Sequence, residues 1–261
     1  MRIANLRTFF FDLDGVLTVG KENPRYLGGR EVVKAIKSLG KRAFVLTNDS
    51  THVRIKILAN LAKLGFNFTL DDILTSSFLT ASYLSEKFER VTFFLVGEDG
   101  LKRELESAGH HAVEENPQVV VVGFDRKLTY EKLDNARRFL KNGAHLIGSY
   151  GGAVYMSANG PALSAGPIIK ALEYASGRRA LIIGKPSPRM FRLALQQAQE
   201  RPASAVMVGD QIETDVVGAS RAGVHSILVL TGVENRETVA RSKTKPDMLL
   251  ENVDDLSEYL Q

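Results

Sequence analysis

Parallel β-sheets covered by helices, an α/β fold, is the architecture this sequence predicts, with a second α/β block inserted in mid-chain. Three observations carry that expectation. Short apolar runs alternate with longer helical patterns from one end of the chain to the other. Several of the runs are continuously apolar rather than alternating, as in strands buried on both faces. The middle of the chain repeats this rhythm with enough apolar strands for a core of its own. The 261 residues suffice for one large domain or two modest ones.

Taken in order, RTFFFD (7–12) is the first buried strand and RAFVLT (42–47) the second. THVRIKILANLAKLG then reads as a helix, with Ile55, Leu58, Leu61 and Ala62 on one face and an end at Gly65. The middle block brings the strands VTFFLVG (91–97), VVVVG (119–123) and HLIG (145–148). They alternate with helices over GLKRELESAG (100–109) and TYEKLDNARRFLKNG (129–143). ALIIG is a further short apolar strand ahead of Lys185. SPRMFRLALQQAQE is a helix capped by Ser187 with Pro188 in its first turn. SAVMVGD (204–210) and HSILVL (225–230) are late strands. The expected division is 1–79 for the first part of the main domain, 80–178 for the insertion and 179–261 for the return.

Composition narrows the function. Hydrophobic content of 44% and charged content of 25% are ordinary for a globular protein. No apolar run approaches the roughly 20 residues of a membrane-spanning helix. The N-terminus has no apolar stretch followed by a small-residue cleavage site, so a cytoplasmic location is expected. The absence of cysteine excludes disulfides, thiolate catalysis and Cys-ligated zinc. A net charge of +4 is modest, and the densest basic clusters, SGRRA and RSKTK, read as solvated surface. Neither a nucleic acid nor a membrane is therefore expected as partner. His110 and His111 read as solvated or structural, and His225 carries no motif.

Four stretches carry chemistry. In open parallel sheets ligands bind beyond the carboxyl ends of strands. Asp12 and Asp14 stand at such an end in FFFDLDGV, Thr47 and Asn48 in LTNDST, Lys185 in IIGKPSP, and Asp210 in VGDQIETD. A lone D-x-D is common in turns and helix caps, and each of the other residues taken singly has a structural reading. Together they form a coherent set. Carboxylates hold a hard divalent cation, and a lysine, a hydroxyl and backbone N–H groups can surround a phosphoryl group.

These motifs resemble those of the haloacid dehalogenase-like (HAD) hydrolase superfamily. DGVL, TNDST, VGEDGL, VVVGFDRKLTYEKL, GKPSP and LTGV are similar to its NagD-like, p-nitrophenylphosphatase and phosphoglycolate-phosphatase branch. The resemblance spans nearly the whole chain. It implies a Rossmann-like core with a large α/β cap inserted between the second and third motifs. It also implies a phosphatase for small phosphorylated metabolites, using Mg2+, with homodimer contacts through the cap. The nucleophile would be Asp12, forming an aspartyl-phosphate, and Asp14 the general acid and then base. Thr47, Asn48 and Lys185 would bind phosphate. The metal would sit on Asp12, Asp14 through its backbone carbonyl, and Asp210. Asp215 would orient these groups. The sequence departs from the branch at two places. Asp49 stands where T-N-N-[SA]-[ST] has its second Asn, and the cap segment A-T-N-x-D is replaced around Ser149, Tyr150 and Gly151. Tyr150, Tyr155 and Asn159 are the candidates for leaving-group contacts in the cap. The rival readings are a receiver-like phosphorylated switch and a non-catalytic binding protein on the same fold. A dinucleotide-dependent oxidoreductase would need G-x-G-x-x-G after the first strand, where the chain has D-L-D-G.

Overall fold

The first apolar run does form a strand, and it lies inside a sheet with all three phenylalanines, Phe9, Phe10 and Phe11, fully buried. A computed structural model describes residues 2–20, 23–157 and 160–260. The strands are β1 (Thr8–Phe11), β2 (Thr18–Val19), β3 (Arg25–Tyr26), β4 (Arg42–Thr47), β5 (Ile73–Thr75), β6 (Thr92–Val96), β7 (His111–Ala112) and β8 (Val119–Val122). They continue as β9 (His145–Gly148), β10 (Val154–Ser157), β11 (Gly160–Leu163), β12 (Leu181–Ile182), β13 (Ala205–Gly209), β14 (His225–Val229) and β15 (Met248–Leu250). The α-helices are α1 (Arg30–Ser38), α2 (Arg54–Lys63), α3 (Ser76–Phe88), α4 (Asp99–Ser107), α5 (Tyr130–Lys141), α6 (Ala165–Ser176), α7 (Pro188–Gln197), α8 (Val217–Ala222) and α9 (Arg236–Arg241).

The chain forms two compact units. The first comprises 1–47, 54–74 and 185–261 and contains a six-stranded sheet in the order β15-β14-β13-β1-β4-β5. From β15 to β4 all neighbouring pairs are parallel. The order is that of a Rossmann sheet, reversing between β1 and β13, and in such sheets ligands bind beyond the carboxyl ends of the strands at this switch point. Phe9 and Phe11 face one layer, with Val32, Val33 and Ile36 of α1, while Phe10 packs on Phe44 at 5.7 Å between ring centroids. Each such burial contributes on the order of 1.5–3 kcal/mol, so β1 is a stiff support for the acidic turn at its carboxyl end.

The second unit comprises 48–53 and 75–184, with a parallel five-stranded sheet in the order β12-β9-β8-β6-β7. Its core joins Phe94, Val96, Val120 and Val122 to Leu140, Ile169 and Leu172 of the covering helices.

Several sequence expectations shift for identifiable reasons. The insertion was expected at 80–178, whereas the compact unit runs from 75 to 184. Its early start keeps α3 whole behind Thr75, whose hydroxyl accepts from the Phe78 N–H as an N-cap. Its late end reflects ALIIG, whose strand β12 pairs with β9 of the second sheet rather than with the first. In α2 the buried positions are Ile57 and Leu61, and Ile55 and Ala62 lie exposed. Ile57 and Leu61 join the core cluster that also holds Phe66 and Ile73, so the helix turns that side inward.

Candidate active site

Strand register places the first acidic residues. Phe11 pairs with Val208 on one side and with Val45 on the other, and the Asp12 N–H donates to the Val208 carbonyl at 2.9 Å. Asp12 and Asp210 thus leave neighbouring strand ends at the switch point. Thr47, buried, ends β4 on the other side of β1.

After Asp12 the chain turns sharply. The Leu13 carbonyl accepts from the N–H groups of Leu17 and Thr18, and Gly15 donates to the Thr18 carbonyl at 2.8 Å. Gly15 has φ +83°, a left-handed conformation that favours glycine, and a Cβ there would collide with the Asp210 carboxylate. Gly232 is bare for the same reason. The Thr231 hydroxyl donates to the Gly15 carbonyl at 2.6 Å, tying the loop after β14 to the D-x-D turn.

Lys185 is the centre of the charge arrangement. It comes not from a strand of the first sheet but from the segment ahead of α7, where Ser187 caps the helix by accepting from Arg189 N–H. Its Nζ lies 2.9 Å from Asp12 Oδ1 and 2.7 Å from Asp215 Oδ1, with the lysine side chain 1% exposed. Asp12 Oδ1 also accepts the Leu13 N–H at 2.8 Å, which orients the carboxylate. Asp215 lies in a π-helical turn, Ile212–Val216, and its Oδ2 accepts the Gln211 N–H at 3.1 Å. Burial alone would lower the Lys185 pKa, but the two carboxylates outweigh it and hold the ammonium above its ordinary range.

One oxygen from each of Asp12, Asp210 and Asp215 lies within 4.8 Å of the others. The carboxylate of Asp14, half-buried, is not in that cluster. Burial, then the charges of Asp12 and Asp215, push Asp210 up to about 8. Burial also pushes Asp215 up, to about 6, against the opposing pull of Lys185. Asp210 Oδ2 accepts the Val233 N–H at 2.9 Å, while its buried Oδ1 has no hydrogen-bond partner among the described residues. Three buried carboxylates against one lysine, with an orphaned oxygen and two glycines clearing space beside it, fit a divalent cation.

The remaining candidates lie in the second unit. Asn48 begins the 48–53 segment, and its carbonyl accepts from the Ser76 hydroxyl at 3.0 Å. Ser149 is buried and donates to the Val122 carbonyl, so it serves the sheet. Tyr150 folds over Gly152. Tyr155 packs edge-on against Phe124 at 4.9 Å. Asn159 lies outside the described residues. His110, 1% exposed, is structural: Val91 N–H donates to its Nδ1, and its Nε2 lies 3.2 Å from the Ala81 carbonyl. His111 is exposed. Sequence reasoning missed the turn built on Asp49 and His52, and the part of Thr231 and Gly232. The motif LTGV was the only signal for the latter pair. Among the described residues no helix is long and apolar enough to cross a membrane.

The fold and site together define a class: a buried cluster of three carboxylates and a lysine, able to hold a cation, at the switch point of a Rossmann-like sheet. Residues 9–111 match the model of the haloacid dehalogenase-like hydrolases, and residues 182–256 match a second, HAD-hydrolase-like model. The human glycerol-3-phosphate phosphatase is 30% identical, over 99% of this chain and 92% of its own. The crystal structure of 4-nitrophenylphosphatase from Thermotoga maritima superposes with a TM-score of 0.94 at 33% identity, covering 100% of both chains. NagD from E. coli K-12 gives a TM-score of 0.86 at 28% identity, covering 96% of this chain and 98% of that one. The chain belongs to the haloacid dehalogenase-like hydrolase family, in its NagD and p-nitrophenylphosphatase branch. By class it is a phosphatase of that family.

Proposed function

We propose that the protein is a Mg2+-dependent phosphatase of small-molecule phosphate monoesters that works through an aspartyl-phosphate on Asp12. The observation that carries this reading is the buried Lys185 bridge between Asp12 and Asp215, set beside the partnerless oxygen of Asp210. Asp12, Asp210 and the Asp14 backbone carbonyl would hold the ion, which when bound supplies positive charge against the phosphoryl oxygens.

Each residue has its own share of the work. A carboxylate oxygen of Asp12 attacks phosphorus while the bond from phosphorus to the ester oxygen breaks. Asp14 gives its proton to the departing alkoxide. In the second half Asp14 takes a proton from water, which attacks the aspartyl-phosphate and releases inorganic phosphate and the Asp12 carboxylate. Asp14 suits that role because its carboxylate is not one of the three gathered in the acidic cluster and stands two residues past the nucleophile, within reach of the leaving group. Lys185 balances the nucleophile before attack and the transferring group during it, held in place by Asp215. The Thr47 hydroxyl donates to a phosphoryl oxygen, and the motif assigns the same duty to the Asn48 amide. Tyr150 and Tyr155 are proposed contacts for the leaving group. A homodimer through the second unit and a cytoplasmic location complete the reading.

The test is a screen of phosphate monoesters with Mg2+ and with EDTA, run beside Asp12→Asn and Asp14→Asn. Both variants are expected to lose turnover by several orders of magnitude. Full magnesium-dependent phosphate release by Asp12→Asn would falsify the assignment of the nucleophile.

A further inference from the structure

The loop after Thr47 contains a hydrogen-bonded aspartate and histidine that the phosphatase chemistry does not use. Asp49 Oδ1 accepts three hydrogen bonds, from Thr51 N–H at 2.7 Å, Thr51 Oγ1 at 2.9 Å and His52 N–H at 3.2 Å. Its Oδ2 lies 2.7 Å from His52 Nδ1. Both side chains are buried, at 8% and 9% exposure. Burial by itself would raise the Asp49 carboxyl, but the His52 and Thr51 hydrogen bonds bring it down to about 2, so it stays ionised across the working pH range.

The rest of the turn is fitted into the second unit residue by residue. The Ser76 hydroxyl donates to the carbonyls of Asn48 and Asp49. Phe124 N–H donates to Ser50 Oγ at 3.5 Å. A Cβ on Gly100, in the first turn of α4, would collide with the Thr51 carbonyl. A Cβ on Gly184 would come within 2.6 Å of Asn48 Oδ1. The turn therefore runs along the carboxyl end of the second sheet. The Thr47–Asn48 peptide is where the chain passes from one unit to the other.

We propose that Asp49 and His52 are positioning residues for the Thr47–Asn48 pair, locking the turn so that the Asn48 amide is presented in one fixed place. The inference rests on the phosphate role proposed for Thr47 and Asn48. Its chemical reason is donor counting. An Asn at 49 has one acceptor oxygen for the Thr51 donors, and its amide N–H2 donates where the carboxylate accepts, so His52 Nδ1 could no longer act as the donor and the ring would have to change tautomer to pair with it. A carboxylate satisfies all four at once. The Asp at the position where the branch has Asn therefore belongs with His52, and the two act as a unit.

The experiment compares wild type with Asp49→Asn, His52→Gln, the double variant and Asn48→Ala. It reads KM and kcat on p-nitrophenyl phosphate, inhibition by inorganic phosphate, and the rise in melting temperature with Mg2+. Asp49→Asn and His52→Gln are each expected to raise KM and the phosphate inhibition constant about ten- to hundredfold, the scale of a misplacement of about 1 Å. The Mg2+-dependent rise in melting temperature should stay at its wild-type size in both. The double variant should cost no more than the larger single effect. If Asp49→Asn fails to fold, His52→Gln decides, because it keeps the three bonds to Asp49 Oδ1. Unchanged phosphate inhibition in both single variants, beside a weakened Asn48→Ala, overturns the positioning role. Unchanged inhibition in Asn48→Ala overturns the phosphate assignment itself, and this proposal with it.

Discussion

Replacing Asp210 with Asn should make the metal-free protein more stable while abolishing its response to magnesium. The magnitude comes from the site itself. Two unit charges within 4.8 Å of each other repel by at least about 3 kcal/mol at an effective dielectric of ~20. The titration expresses the same repulsion together with the cost of burial. With Asp210 raised from 3.8 to about 8, the folded protein at pH 7 retains a proton that the unfolded chain has lost. Over the roughly three units from 3.8 to 7 this costs about 4 kcal/mol. Asn carries no charge, and its amide oxygen can still accept the Val233 N–H, so the exchange sacrifices no hydrogen bond. A gain of about 2–4 kcal/mol would raise the melting temperature by roughly 5–15 °C in a chain of this size. The assay is thermal unfolding of wild type and Asp210→Asn at pH 7, in EDTA and in saturating Mg2+. Wild type should gain stability with the ion, and the variant should gain none. A metal-free variant that melts at or below wild type would show that the Asp210 carboxylate is not held under repulsion. A variant that keeps the full magnesium shift would place the ion elsewhere.

Lys185→Met leaves three buried carboxylates without their cation and should cost about 3–5 kcal/mol in urea unfolding with EDTA; an unchanged midpoint would contradict the bridge. The pH dependence has a definite sign. Asp210 and Asp215 titrate higher folded than unfolded, so the folded state binds more protons between about pH 4 and 8. Stability of the metal-free protein should therefore fall as pH rises through that window, and Mg2+ should flatten the curve; melting curves at four pH values with EDTA check this. Gly232→Ala should reduce the magnesium-induced melting shift by pressing a methyl group on Asp210, read as a rise of tenfold or more in the Mg2+ concentration needed. On α2, Leu61→Ala should cost about 2–5 kcal/mol and Ile55→Ala less than about 0.5; the reverse order in denaturant titration would refute the assigned buried face.

Much of this protein is determined by its sequence because the signals are local. A continuous apolar run ending in a carboxylate specifies both a buried strand and a group at its mouth, and FFFDLDG and VMVGD each do so within a few residues. Ser187 and Pro188 likewise mark a helix start by chemistry that reaches only one turn. What the tertiary structure decided is where pairings between distant residues settle. ALIIG is too short for its pattern to select a sheet, and hydrogen bonding to β9 drew it into the second one. The apolar pattern on α2 left open which side would face the core, and Ile57 and Leu61 joined the cluster that also holds Phe66 and Ile73. Asp215 reaches Lys185 across 30 residues of chain, and Asp49 became a four-bond anchor only because His52 and Thr51 fold back onto it. Burial and charge balance are properties of the assembled neighbourhood. That is why the identity of the acidic residues was legible in one dimension, while their mutual repulsion and its relief by Lys185 emerged only in three.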